Sequence, residues 1–157
     1  MTIKPLLVLA VVAVLGGSNV AMNAAENTTE QRRALDILAT AKTFDDGVAG
    51  ERPGNGQSPL YATYHKLMVA EKPVPTATLM SMQKSSTAAG RLYIAALTRE
   101  LDSGAGIGAL RQLFSDKTKV TYVSGCESTD YSVGEIAKQL LDSGKFQNFR
   151  LRARCKT

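Results

Sequence analysis

Apolar and polar positions alternate along this chain in patterns that predict an export segment followed by several helices. The first pattern is an unbroken apolar run from Leu6 to Leu15, which is preceded by Lys4. Small and polar residues follow, and the first acid is Glu26. A basic start, a short apolar centre and small residues before the exit are typical of a secretory signal peptide. The run is too short to cross a bilayer, which takes about 20 apolar residues.

We therefore expect residues 1–25 to be a signal peptide and residues 26–157 to form a single small exported domain. The whole chain has 157 residues, and a mature part of about 130 residues has the size of one domain. Such a domain is large enough to bury a core of its own. The predicted location is the periplasm or the extracellular space.

Beyond residue 26, apolar residues recur every three or four positions, which is the periodicity of amphipathic helices. The longest such segment covers residues 76–101, and Gly90 leaves open a kink or a division into two helices. Ser132 and Glu135 have the spacing of a capping box, in which each side chain bonds the backbone N–H of the other residue. We expect helices that begin near Thr28 or Thr29, Ser58, Thr76, Ile107 and Ser132.

Glycine and proline mark the breaks between these helices. Residues 44–58 contain four glycines and a proline, a composition that predicts a loop. The sequence Leu-Asp-Ser-Gly occurs at 101–104 and again at 141–144. We predict that Gly104 and Gly144 both take the left-handed conformation that follows a helix end.

Two segments near the C-terminus have the pattern of strands. Residues 119–124 are rich in strand-forming residues, and in residues 149–155 apolar side chains alternate with Arg150, Arg152 and Arg154. We expect the two segments to pair, although a basic helix is the alternative for the second one. The predicted fold is mainly α: a small domain of four to five helices with a C-terminal two-stranded β element and one disulfide.

The disulfide is predicted from Cys126 and Cys155, the two cysteines of the chain. In an oxidising compartment an even number of cysteines favours a bridge, and two free thiols are the alternative. With the two cysteines paired, His65 is the one remaining soft donor, which is too few for a zinc site. We expect no metal and no cofactor.

Positive charge is concentrated at the C-terminus. The net charge is +5, and no acid occurs from Lys145 to the end of the chain. Such a surface could face an acidic partner, anionic lipid or nucleic acid, but we favour a solvated strand edge, whose charges discourage pairing with another strand. For an exported protein we expect no nucleic-acid partner and, after signal removal, no stable membrane insertion. The predicted partner contacts are Asp45, Asp46, Arg52, Asn55, Arg150, Arg152 and Arg154.

Candidate catalytic residues are few. Ser81 and Lys84 have the spacing of the serine–lysine pair of penicillin-recognising enzymes. The companion motifs of those enzymes are missing from the sequence, so a hydrolase is the weakest of the functional hypotheses. We predict that the protein is not an enzyme.

Two stretches of the chain resemble the Rap/Tai-type immunity proteins of type VI secretion systems. The matching features are Tyr93-Ile94 followed by Ala96, Cys126 before the helix start at Ser132, and Cys155 near the end. The family has a further cysteine where this chain has Gly90. Its members are small, exported, mostly helical, disulfide-bonded proteins that block cell-wall amidase toxins by binding them.

The resemblance implies a non-enzymatic inhibitor that binds a peptidoglycan amidase, and it transfers no catalytic residue to this chain. A small periplasmic chaperone or envelope-stress protein is the alternative. A homodimer remains compatible with either function.

Overall fold

The computed structural model describes residues 29–49 and 57–152, which form six helices and five strands. The prediction of a mainly α fold is confirmed. The helices are α1 (Thr29–Ala39), α2 (Pro59–Met68), α3 (Thr76–Ser85), α4 (Ala88–Leu101), α5 (Ser103–Gln112) and α6 (Val133–Ser143). The strands are β1 (Thr43–Ala49), β2 (Lys119–Gly125), β3 (Glu127–Ser132), β4 (Lys145–Phe146) and β5 (Phe149–Arg150).

The described part has one helix more than the four to five expected, because residues 76–101 form two helices. Ser86 is extended, and the side chain of Thr87 accepts a hydrogen bond from the backbone N–H of Gly90 as the cap of α4. The N–H of Thr87 donates to the carbonyl of Ala39 at the end of α1. The break is therefore fixed both by a local cap and by a contact with another helix.

Helix α4 is the centre of the protein. Every residue from Leu92 to Leu97 is fully buried. The other five helices and strands β1 and β2 all contact α4 and together enclose it. A helix that is apolar around its whole circumference must be enclosed in this way.

Gly90 allows α4 to approach α1 closely. A Cβ atom on Gly90 would lie 2.2 Å from the carbonyl oxygen of Ala39, far inside the contact distance of two atoms. The cysteine that the resembled family has at this place would need the two helices to move apart. Gly106 plays the same part between α5 and α4, where a Cβ would lie 2.1 Å from Cα of Arg99.

A three-stranded sheet of order β1-β2-β3 packs beside the helices. Strand β1 runs parallel to β2, with Thr43 opposite Thr121, and β3 is antiparallel to β2. The prediction of a loop over residues 44–58 is wrong for residues 44–49, which belong to β1. Helix α1 ends at Ala39, so Phe44 reaches the core from β1.

The C-terminal β element is a hairpin of neighbouring residues. Phe149 pairs with Phe146, and Arg150 pairs with Lys145. The predicted pairing of 149–155 with 119–124 is therefore wrong, since β2 is flanked by β1 and β3. A two-residue turn closes this hairpin at a much smaller entropic cost than pairing with a distant strand.

The two Leu-Asp-Ser-Gly sequences have different structures. Gly144 is left-handed (φ 68°) and caps α6, as predicted. Gly104 instead lies in the first turn of α5, so its prediction is wrong. The reason is Asp102, which ends α4 and at once starts α5 by accepting a hydrogen bond from the N–H of Ala105 at 3.0 Å.

The predicted disulfide is not shown by the described residues. Cys126 lies in the turn between β2 and β3, where it is an exposed free thiol. Cys155 lies outside the described residues, so the pairing stays a prediction.

Candidate functional site

Asp45 and Asp46 lie inside the protein, where their side chains are not available at the surface for the predicted contact with a partner. Each is 5% exposed. One carboxylate oxygen of Asp45 accepts from the hydroxyl of Ser58 at 2.7 Å, and the other accepts from the N–H of Gly47 at 3.2 Å. Burial raises the pKa of Asp45, against the lowering effect of these two hydrogen bonds. Asp45 therefore connects β1 to the cap of α2.

Asp46 connects β1 to the hairpin through Tyr122. The hydroxyl of Tyr122 donates to a carboxylate oxygen of Asp46 at 2.9 Å and accepts from the N–H of Asn148 at 3.3 Å. Burial and the neighbouring Asp46 both raise the pKa of Tyr122, so this hydroxyl keeps its proton. The acidic pair holds structural elements together.

A second polar cluster surrounds the last described residue, Arg152. Its backbone N–H donates to Glu100 at 2.5 Å, and its guanidinium lies 3.0 Å from Nε2 of His65. Glu100 is 5% exposed, and the hydroxyl of the adjacent Tyr64 has no hydrogen-bond partner among the described residues. Burial, and after it the charge of Glu100, raises the pKa of Tyr64. These contacts fasten residue 152 to α2 and α4.

The hairpin of β4 and β5, residues 145–150, is held rigidly against the core. Phe146 and Phe149 are fully buried. The ring of Phe149 lies 4.6 Å from that of Phe44, and the ring of Phe146 lies 4.9 Å from that of Tyr131. The side chain of Asn148 donates to the hydroxyl of Ser124 at 3.2 Å. Both strands and the turn are thus anchored.

The outer side of the same hairpin carries two cations. Lys145 and Arg150 are exposed and lie directly opposite each other in the ladder. Within residues 29–49 and 57–152, no carboxylate forms an ion pair with either of them. We call residues 145–150 the cationic hairpin. Of the predicted contact residues, Arg150 and Arg152 are exposed as expected, whereas Arg52, Asn55 and Arg154 lie outside the described residues.

A groove between α1 and the end of α2 was not predicted. Its volume is about 500 Å³, and its wall includes Val69, which is 50% exposed. An ion pair between Lys66 and Glu30 crosses its rim. The sequence gives no direct signal for this groove, because the exposure of Val69 becomes visible only in the fold. The remaining lining residues are Gln31, Ala34, Leu67, Ala70, Glu71 and Lys72.

Ser81 and Lys84 are both exposed on α3, and no hydrogen bond joins them. No three histidine, cysteine, aspartate or glutamate side chains of the described ranges are grouped so that they could hold a metal ion. None of the described helices combines the length and the apolar character that a membrane span requires.

Comparison of the chain with protein-family models, with curated proteins and with solved structures finds no match. The resemblance to immunity proteins therefore stays a prediction that depends on the sequence motifs alone. Tyr93 and Ile94, which carry part of it, are both fully buried in α4. In this fold those two residues contribute to the core.

Proposed function

We propose that the protein is an exported, non-enzymatic inhibitor that binds a partner protein, and that the partner is a cell-wall amidase toxin. The observation that carries the binding proposal is the cationic hairpin. Phe146 and Phe149 fix its backbone in the core, while Lys145 and Arg150 point outward without a carboxylate partner in the described ranges. A rigid element with unsatisfied charge is suited to recognition, because little entropy is lost on binding.

The burial of Asp45 and Asp46 supports the non-enzymatic part of the proposal. An active site needs reactive groups that a substrate can reach. Asp45 and Asp46 are buried, and each bonds groups on other elements of the chain. Their carboxylates are used to assemble the fold.

The rest of the proposal comes from the sequence. Residues 1–25 serve as an export signal, which gives a periplasmic or secreted protein. Cys126 and Cys155 form its disulfide, for which the exposed position of Cys126 leaves the thiol accessible. An amidase is proposed as the partner because the chain resembles immunity proteins that block such toxins.

Inhibition of peptidoglycan amidases tests this function. Purified protein would be added in increasing amounts to a panel of amidases acting on purified peptidoglycan, and muropeptide release would be followed. We expect at least one amidase to be blocked at a ratio near one to one. A panel of toxin-type amidases that all keep full activity in a large excess of protein would contradict the proposal.

The groove beside α1 favours one other function, a periplasmic chaperone. Val69 is half exposed there, and exposed apolar surface of this kind is suited to unfolded clients. Suppression of the aggregation of a reduced model client would support it, provided that Val69→Asp weakens the effect. An exposed substitution outside the groove, Met80→Asp, is the matched control.

A further inference from the structure

We propose that the cationic hairpin binds an acidic segment of the partner protein, with Lys145 and Arg150 together holding two neighbouring carboxylates. This inference rests on the proposed binding function and adds the chemistry of the surface that is recognised. It is carried by features of residues 145–150 and their neighbours.

The first feature is the placement of two like charges. Lys145 and Arg150 are cross-strand partners in an antiparallel ladder, and like charges directly opposite each other destabilise such a ladder. No carboxylate among the described residues relieves the repulsion by an ion pair. A partner that brings negative charge to this place would relieve it.

The second feature is the conformation of the turn. Gln147 has φ 50° and is the one residue other than glycine with positive φ in the described ranges. Left-handed backbone is unfavourable for a residue with a Cβ atom. The hairpin therefore combines an unfavourable charge pair with an unfavourable backbone, and such local conflicts concentrate at functional sites.

The third feature is rigidity. The turn is tied down at Asn148, whose N–H donates to Tyr122 and whose side chain donates to Ser124. The amide of Gln147 approaches the hydroxyl of Tyr131 at 3.4 Å. The backbone positions of the two cations are thus set before a partner arrives, which lowers the entropic cost of binding.

The spacing selects the partner. Opposite residues of a ladder have Cβ atoms about 5 Å apart, and acidic residues one helical turn apart have Cβ atoms about 5–6 Å apart. Binding to an anionic lipid surface by charge takes a cluster of about four to eight cations, whereas this hairpin presents two, and its Phe146 and Phe149 both face the core. Nucleic acid is bound by longer stripes of cations. A pair of glutamates on a protein helix fits best.

The test measures binding of a defined peptide to the full chain. The probe is a fluorescent alanine-based helix of about 16 residues with glutamates one turn apart, a length at which a helix is stable. Its control carries glutamine at the same places. By fluorescence anisotropy at about 0.1 M salt, where exposed charges more than about 10 Å apart are largely screened, we expect the wild type to bind the glutamate peptide about tenfold more tightly than the control peptide.

Lys145→Glu together with Arg150→Glu should remove that preference. The matched control is Arg111→Glu with Lys117→Glu, which makes the same change in net charge on exposed residues. The segment that contains the control residues contacts the start of α6, because the carbonyl oxygens of Phe114 and Asp116 lie close to Gly134. The hairpin instead follows the end of α6. We expect the control variant to keep its affinity within about threefold, since long-range charge effects are small. Circular dichroism checks that both variants fold.

The inference is overturned if the hairpin variant keeps the preference or if the control variant loses it equally. It is also overturned if vesicles of phosphatidylglycerol, or a single-stranded oligonucleotide, bind the wild type more tightly than the glutamate peptide does. Amidase inhibition separates this inference from the proposed function. If the wild type and the hairpin variant inhibit an amidase equally, the proposed role of the hairpin is wrong and the proposed inhibitor function is supported. If neither inhibits but the wild type prefers the glutamate peptide, the role of the hairpin is supported and the inhibitor function is wrong.

Discussion

The backbone N–H of Asp45 donates a hydrogen bond to the hydroxyl of Tyr93 across 2.9 Å. The same hydroxyl lies 3.4 Å from the carbonyl oxygen of Asp45. Strand β2 pairs with one edge of β1. Tyr93, from α4, takes the other edge at Asp45. A buried strand edge must be satisfied by some partner, and here a side chain replaces a strand. Burial raises the pKa of Tyr93, so the hydroxyl remains protonated.

Tyr93→Phe should therefore destabilise the protein. The substitution leaves the buried N–H of Asp45 without its partner, which costs about 1–3 kcal/mol. Urea unfolding measures the loss. Tyr131→Phe is the control, since it removes a single contact with Gln147 at 3.4 Å, and we expect a loss below about 0.5 kcal/mol. Equal stability of the two variants would show that Tyr93 does not support the strand.

Asp45→Asn should change how stability depends on pH. Burial raises the pKa of Asp45 in the folded protein above its ordinary value, which is about 4. The folded state thus holds the proton more tightly than the unfolded chain does. The stabilising contribution of this group is fully present below about pH 4 and is lost as the pH rises through the folded pKa.

Relative to the wild type, Asp45→Asn should gain stability between about pH 4 and neutral pH, because asparagine has no charge to be lost or gained. Urea unfolding at several pH values measures the difference. Asp36→Asn, at an exposed position of α1, serves as the comparison and should show no such gain. A variant at Asp45 that falls behind the wild type as the pH rises would mean that the ionised carboxylate is favoured.

Two glycines on helices should respond in opposite directions to alanine. Gly90→Ala places a methyl group 2.2 Å from the carbonyl oxygen of Ala39, and we expect a loss of at least about 2 kcal/mol from overpacking. Gly108→Ala meets no atom within 4 Å and should stabilise α5 by about 0.5–1 kcal/mol. Thermal unfolding followed by circular dichroism distinguishes them. A tolerated alanine at position 90 would argue against the close contact of α1 and α4.

The turn of the cationic hairpin offers a further substitution. Gln147→Gly removes the cost of left-handed backbone at φ 50° and should stabilise the protein by about 1 kcal/mol. Asn148→Gly, next to it, should destabilise instead, because it removes the hydrogen bond to Ser124. Denaturant midpoints of the two variants measure these effects, and a loss of stability in Gln147→Gly would contradict the assignment of strain.

The oxidation state of the cysteines is directly measurable. If Cys126 and Cys155 pair, thiol titration of the unfolded, unreduced protein should find no free thiol. The bridge closes a loop of about 28 residues, worth roughly 3.5 kcal/mol on the chain-entropy model. Mass spectrometry of the same sample locates the first residue, which we expect at Ala25 or Glu26. Two thiols per chain would refute the bridge.

The starts of α2 and α6 were predictable because their signals are local. Ser58 accepts hydrogen bonds from the N–H groups of Leu60 and Tyr61, as the Ser-Pro pair predicts. The capping box of Ser132 and Glu135 is complete in both directions. In each case a few adjacent residues contain all the groups that form the bonds.

Strand β1 could not be predicted for the opposite reason. Asp45, Asp46 and Gly47 have low strand propensity, and the strand exists because Tyr93 and Tyr122 satisfy its polar groups from distant parts of the chain. Tertiary contacts here override local preference. The same cause explains the buried acids, since no local pattern indicates that the hydroxyls of Ser58 and Tyr122 donate to their carboxylates.

The parallel pairing of β1 with β2 also determines the order in which the molecule can assemble. Thr43 meets Thr121 only after four intervening helices have been made, and contacts between such remote segments form slowly. Because a chain is synthesised from its N-terminus, β1 has no partner strand until β2 has been made. Residues 43–49 would thus stay without a partner strand through most of the synthesis of the chain, and the sheet could form only after residues 119–125 had followed them.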